Sequence, residues 1–164
     1  MQTKLISVAA LLLAATFSHA ADGKKAAASI PDNTPILMQA EVGSLDKRVE
    51  VAYVCDSQQG KRNVNAMYGI KDGETAVVQI KVGDQVTPGL WRVMNDTNGK
   101  KQNSYYGEGL TWITDKASPD TLTKANGKIL MQASKLDGGL PKGDQTILFK
   151  DCKVDSAATK KLNK

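Results

Sequence analysis

Hydrophobic and polar residues alternate along much of the chain between residues 48 and 152. This is the pattern of β-strands that bury one face. It is clearest in RVEVAYVC (48–55) and TAVVQIKV (75–82), where every second residue is apolar. The positions that share the two predicted buried faces are Val49, Val51, Tyr53 and Cys55, and Ala76, Val78, Ile80 and Val82. Further candidate strands are RNVNAMYG (62–69), LWRVMN (90–95), NSYYGE (103–108), LTWIT (110–114), GKILMQAS (127–134) and QTILFKDC (145–152). About eight short strands predict an all-β fold, either a small antiparallel β-barrel or a sandwich.

Four dipeptides lie where tight turns would join these strands. Asn-Gly and Asp-Gly supply the positive φ angles that two-residue hairpins need. The predicted turns are Asp72-Gly73, Asn98-Gly99, Asn126-Gly127 and Asp137-Gly138.

The two ends of the chain differ from the strand-rich part. Lys4, an apolar stretch from Leu5 to Phe17 and the small-x-small site Ser18-His19-Ala20 predict a secretory signal peptide over residues 1–20. Residues 21–47 are predicted to form a flexible leader, in which Ile36-Leu37-Met38 could add a short strand. Residues 48–152 form the predicted β-barrel domain, and residues 153–164 are predicted to be a basic flexible tail.

Cys55 and Cys152 are the two cysteines of the chain and lie 97 positions apart. In an exported protein, pairing is the default for two such cysteines. A disulfide across a loop of about 100 residues contributes about 4–5 kcal/mol in the chain-entropy account. Since Cys55 ends the first firm strand and Cys152 ends the last, this disulfide would join the two ends of the sheet.

The formal net charge of +5 is concentrated at the C-terminus. The tail carries Lys153, Lys160, Lys161 and Lys164 against the single acid Asp155. A nucleic-acid-binding protein would show a basic stripe with interleaved aromatic residues on its folded core. The core lacks such a stripe, so we expect no nucleic-acid partner.

His19 is the only histidine, and it leaves with the signal peptide. This excludes histidine-dependent triads, general bases and metal sites from the mature chain. Ser134 and Lys135 are sequence neighbours and would point to opposite faces of a strand. We therefore expect a protein that is not an enzyme and that uses no cofactor or metal.

Four segments carry specific motifs, namely VAYVC (51–55), GKRNVNAMYGI (60–70), SYYGEG (104–109) and QTILFKDC (145–152). They resemble the adhesin complex protein family of Gram-negative bacteria, and the resemblance covers about residues 49–152. It implies an eight-stranded antiparallel barrel similar to the periplasmic inhibitors of C-type lysozyme. It also implies an exported protein, periplasmic, outer-membrane-associated or secreted, that adheres to host cells and inhibits host lysozyme.

The same resemblance implies a partner-binding loop within SYYGEGLTWITDKA (104–117). The inhibitors insert a hydroxyl and a lysine into the lysozyme cleft, although Thr114-Asp115-Lys116 departs from their Trp-Thr-Lys-Gly pattern. The candidate partner-binding residues are Ser104, Tyr105, Tyr106, Gly107, Glu108 and Lys116. An alternative interpretation is that Tyr105, Trp112 and Phe149 fill the barrel and that 107–109 is only a hairpin.

Two other functions stay open at this point. The protein could be an adhesion module that contacts anionic glycans or lipids through Lys160, Lys161 and Lys164. It could also be an envelope protein whose barrel holds a small ligand, as some small barrels do.

Overall fold

The computed structural model describes residues 39–164, which form nine β-strands, one short 3-10 helix and one α-helix. The predicted signal peptide, most of the predicted leader and the possible strand at Ile36-Leu37-Met38 lie outside the described residues. The strands are β1 (Lys47–Ser57), β2 (Gly60–Lys71), β3 (Glu74–Val82), β4 (Gln85–Val86), β5 (Leu90–Arg92), β6 (Gln102–Gly107), β7 (Leu110–Asp115), β8 (Gly127–Asp137) and β9 (Leu140–Val154). The 3-10 helix spans Leu122–Lys124, and the α-helix α1 spans Ser156–Leu162.

Eight of these strands close into an antiparallel barrel. The sheet runs β2-β1-β9-β8-β7-β6-β5-β3, and β2 also pairs with β3, which closes the ring. The two-residue strand β4 pairs with the end of β3 outside the ring. Of the two architectures that the alternation allowed, the barrel is confirmed.

The barrel interior consists of the alternating residues that the sequence pattern selects. Val51, Tyr53 and Cys55 on β1, and Val78 and Ile80 on β3, are at most 1% exposed. On β6 and β7, Tyr105 and Trp112 are fully buried, which confirms that these two aromatic residues fill the barrel.

The buried aromatic side chains are joined by hydrogen bonds. The indole N–H of Trp112 donates to the Tyr68 hydroxyl over 3.0 Å, and this hydroxyl lies 3.1 Å from the Tyr53 hydroxyl. The rings of Tyr53 and Trp112 meet edge to face, with centroids 5.7 Å apart. Buried Tyr and Trp side chains normally find such partners, because an unpaired polar group in the core is costly.

The Cys55–Cys152 disulfide is present and joins β1 to β9, the first and last strands of the sequence, which are neighbours in the barrel. The pairing of β1 with β9 shifts between Val54 and Asp56, so that Cys55 opposes two residues, Asp151 and Cys152. Asp151 has a φ of 49° at this bulge, and both sulfur-bearing residues are fully buried. The predicted link between the first and last strands is confirmed.

The barrel has two different ends. The turn end carries the tight turns at 58–59, 83–84, 108–109 and 138–139, and the loop end carries the turn at 72–73 and the connections 93–101 and 116–126. Two of the four turn predictions are wrong, and a third is displaced by one residue, since Asp137 still pairs with Leu140 and the turn residues are Gly138 and Gly139. Asn98-Gly99 lies in the longer β5–β6 connection, and Gly127 begins β8 after a connection that contains the 3-10 helix. Asp72-Gly73 does form a tight turn, with φ values of 50° and 76°.

The C-terminal segment differs from the expected loose tail. Asp155 caps α1 by accepting hydrogen bonds from the backbone N–H groups of Ala157 and Ala158. The hydroxyl of Thr159 accepts from the N–H of Ala52 over 3.0 Å, and the amide of Asn163 bonds both backbone groups of Glu50. The side chains of Thr159 and Asn163 form hydrogen bonds with backbone groups in the part of β1 that extends beyond the end of β9. The C-terminal segment is therefore attached to the barrel.

Candidate functional site

The predicted binding segment forms the β6–β7 hairpin, and the structure divides its residues between the two ends of the barrel. Gly107 pairs with Leu110 at the turn end, whereas Gln102 pairs with Asp115 at the loop end. Six residues of antiparallel strand span about 20 Å. Glu108 in the tight turn and Lys116 after β7 therefore do not form one site.

Ser104 lies on the outer face of β6 but is covered by the β5–β6 connection. Its hydroxyl donates to the carboxylate of Asp96 over 2.5 Å and accepts from the amide of Gln102 over 3.1 Å. Asp96 also accepts from the backbone N–H of Asn98. Partial burial raises the pKa of Asp96, but the hydrogen bonds from Ser104, Asn98 and Gln102 outweigh this and leave that pKa below its ordinary value. The Ser104 hydroxyl is thus engaged in holding the connection and is not presented to a partner.

Tyr105 and Tyr106 are both buried. The Tyr105 hydroxyl donates to Thr75 inside the barrel over 2.8 Å, and the Tyr106 hydroxyl donates to the carbonyl of Gly139 in the β8–β9 turn over 2.6 Å. Burial raises the pKa of both hydroxyls, which keeps them neutral donors. A partner could reach these two rings only if the barrel opened or the β8–β9 turn moved away.

Gly107 and Glu108 shape the β6–β7 turn. A Cβ at Gly107 would lie 2.5 Å from the carbonyl oxygen of Gly89, so only glycine allows this approach to the neighbouring segment. Glu108 has a φ of 47° and Gly109 a φ of 83°, as in the two-residue turns of β-hairpins. The exposed Glu108 side chain therefore lies at the turn end of the barrel.

Lys116 is the only cation among the candidate partner-binding residues of the 104–117 segment, and it is exposed at the loop end. Because Gln102 and Asp115 are the outermost paired residues of the hairpin, Lys101 and Lys116 leave it from neighbouring positions. Lys101 is exposed as well. Asp115 pairs with Lys128 over 3.7 Å, so its carboxylate already has a cationic neighbour. Lys101 was not predicted as a site residue, since its proximity to Lys116 depends on the strand register.

A pocket of about 910 Å³ opens at the turn end of the barrel. Its walls are mostly aliphatic and come from β3, β7, β8 and β9, namely Ile80, Val82, Leu110, Leu130, Leu148 and Phe149. Ile80 and Leu130 are nearly fully buried and belong to the barrel core. At the rim, Val86 is 54% exposed and Ile147 is 45% exposed.

Polar side chains at the pocket rim come chiefly from glutamines and threonines, and of the described residues that line the pocket only Arg62 is charged. Arg62 shares the inward face of β2 with Val64, as their pairing with Cys55 and Tyr53 shows. Its guanidinium donates to the side-chain oxygen of Gln59 over 2.6 Å and makes no ion pair within residues 39–164. No residue of this pocket could be chosen from sequence alone, because its walls meet only after the barrel closes.

Within residues 39–164, no three His, Cys, Asp or Glu residues gather as they would around a metal ion. The same part of the chain contains no helix with the length and apolar character needed to cross a bilayer.

The fold and the site define a small antiparallel β-barrel domain with a disulfide between its first and last strands. It has a distinct surface at each end. Residues 49–154 match the family Nm-ACP, described as an ACP-like domain, and the chain belongs to this family. The family resemblance drawn from the sequence is thereby confirmed. A solved structure, the Adhesin Complex Protein from Neisseria meningitidis, is similar at 23% identity with a TM-score of 0.48, over 65% of this chain and 99% of that one. No curated protein matches the chain.

Proposed function

We propose that this protein is an adhesin-like binding protein of the cell envelope that inhibits C-type lysozyme through the loop end of its barrel. Membership of the ACP-like family supports a binding function without catalysis. The observation that carries the inhibitory part is the placement of two exposed lysines, Lys101 and Lys116, on neighbouring strand ends.

The chemistry of a lysozyme cleft is complementary to this pair. Such a cleft holds two carboxylic groups, one with a raised pKa and one that stays ionised. A lysine ammonium placed between them makes charge-assisted hydrogen bonds, which strengthen as the cleft walls exclude water. Lys116 is the better placed of the two lysines, because the buried Ala117 that follows it fixes the position of its backbone.

The proposed inhibitory surface differs from the one expected from the resemblance. Ser104, Tyr105 and Tyr106 become supports: Ser104 fixes the β5–β6 connection through Asp96, and the two tyrosines fix the hairpin against the barrel. Glu108 lies at the opposite end and takes no part. Only Lys116 keeps its expected role, and Lys101 joins it.

An inhibition assay with matched lysine variants tests this proposal. We expect Lys116→Ala to weaken inhibition of C-type lysozyme at least about tenfold, as truncation of a central anchor does. Lys81→Ala, which removes an exposed lysine of β3, is the control and should inhibit like the wild type. Equal inhibition by Lys116→Ala and Lys81→Ala would exclude the loop end as the inhibitory surface.

Adhesion has a second candidate surface on the C-terminal segment 153–164, where α1 packs beside the 3-10 helix of the loop end. Lys160, Lys161 and Lys164 are exposed on this segment, while Thr159 on its inner side is buried against β1. Such a basic cluster suits anionic glycans or lipids on a cell surface. Deleting residues 153–164 would be a poor test, because it removes Val154 from β9 and Thr159 from its bonds with Ala52.

The better test replaces the three lysines by glutamine and leaves the helix in place. We expect the triple variant to lose cell binding and to retain lysozyme inhibition. Cell binding equal to that of the wild type would remove α1 from the adhesion proposal.

A further inference from the structure

The pocket at the turn end lies at the opposite end of the barrel from the proposed inhibitory surface, and it has the features of a ligand site. Its volume of about 910 Å³ falls within the range of small-molecule pockets. It is continuous with the core through Ile80 and Leu130, and aliphatic side chains extend from there to the exposed Val86 and Ile147 at the rim. A shallow dip between surface side chains would have neither a core floor nor an apolar rim.

The wall chemistry indicates the kind of ligand. Apart from Phe149, the apolar lining is aliphatic, so the pocket offers little for stacking a planar ring and much for burying a hydrocarbon chain. Each buried methylene strengthens such binding about fourfold.

The charge at the rim indicates the head of that ligand. Within residues 39–164, Arg62 is the only charged residue that lines the pocket. It faces inward along β2, and its described partner is the neutral side chain of Gln59. A guanidinium matches a carboxylate or phosphate with two parallel hydrogen bonds. One cation without a carboxylate partner fits a ligand with a single anionic group.

We propose that the turn-end pocket binds a single-chain amphiphile with one anionic headgroup, the hydrocarbon chain lying between β3, β7, β8 and β9 and the headgroup on Arg62. A free fatty acid and a lysophospholipid share this chemistry. The site is independent of the loop end, so a ligand here and a lysozyme there could be bound together.

Isothermal titration of the full, oxidised chain with dodecanoate, below its micellar concentration, tests the proposal. We expect saturable one-to-one binding that weakens about fourfold for each methylene removed in the series to octanoate. Twelve-carbon lysophosphatidylglycerol, titrated in parallel, distinguishes the two sources by its relative affinity. Absence of dodecanoate binding, or binding independent of chain length, would overturn the proposal.

Variants distinguish the contribution of the ligand's hydrocarbon chain to binding from that of its headgroup. Arg62→Gln should weaken dodecanoate binding about two- to fivefold, as expected for a partly exposed ion pair, and leave dodecanol binding unchanged. Arg48→Gln, an exposed arginine at the other end of the barrel, is the matched control and should change neither. Val86→Glu places a charge on the apolar rim and should weaken both ligands. Stronger binding of dodecyltrimethylammonium than of dodecanoate would contradict the assignment of the headgroup to Arg62.

Discussion

Gly127, the first residue of β8, lies directly against the indole ring of Trp112. A Cβ at Gly127 would lie 2.5 Å from Cζ2 of this ring and 2.9 Å from the Cβ of Cys152. The absence of a side chain at Gly127 therefore lets the largest buried side chain and the disulfide pack in the same layer of the barrel.

The Gly127→Ala variant tests this packing. We expect a loss of about 1–3 kcal/mol in the free energy of unfolding, the usual cost of adding a methyl group to a filled core. Gly43→Ala is the control, since a Cβ there has no atom within 4 Å. Urea denaturation of both variants measures the difference, and equal midpoints would show that Trp112 moves aside without cost.

The Tyr68 hydroxyl should matter more than the Tyr53 hydroxyl. Tyr68→Phe leaves the buried N–H of Trp112 without its acceptor, at a cost of about 1–3 kcal/mol. Tyr53→Phe removes only the bond between the two tyrosine hydroxyls. Chemical denaturation of the two variants compares them, and a larger loss for Tyr53→Phe would contradict this account.

The depressed pKa of Asp96 makes the stability of the fold depend on pH in the acidic range. Because the folded-state pKa lies below the ordinary value of 3.8, the stabilisation is fully present above that pH and is lost as the pH falls through the folded-state pKa. Asp96→Asn should lower stability at neutral pH and make stability less dependent on pH in this acidic range. Thermal unfolding across the range measures this, and parallel curves for variant and wild type would count against it.

Thr159 should anchor α1 to the barrel. Thr159→Val keeps the shape of the side chain but removes its hydrogen bonds with the backbone of Ala52, which are buried. We expect faster amide hydrogen exchange along α1 and at Ala52, together with a loss of about 1 kcal/mol. In Lys160→Gln, an exposed change on the same helix, exchange should match that of the wild type. Unchanged exchange in Thr159→Val would mean that Asn163 and strand pairing suffice to hold α1.

The barrel could be predicted because its strands carry local information. Alternation in β1 and β3 specifies the inward face, and two cysteines at the ends of the first and last strands specify how the sheet closes. The helix α1 was not predicted, because the segment after Asp155 is short and basic and is held by hydrogen bonds from Thr159 and Asn163 to the distant strand β1.

The sites could not be predicted in the same way, because they depend on contacts between distant segments. Ser104 has a hydroxyl suited to binding, but the β5–β6 connection covers it, and Tyr106 is covered by the β8–β9 turn. In the sequence, Arg62 is indistinguishable from an ordinary surface cation, because the pocket that it lines forms only when the barrel closes. Local patterns do not show which polar residue ends up covered and which ends up facing a pocket.

Titration of the oxidised wild-type protein against C-type lysozyme acting on a peptidoglycan suspension, with goose-type lysozyme as the control, tests the inhibitory function. We expect stoichiometric inhibition of the C-type enzyme and no effect on the goose-type enzyme. Unchanged C-type activity at micromolar excess of the folded protein would contradict the inhibitory function.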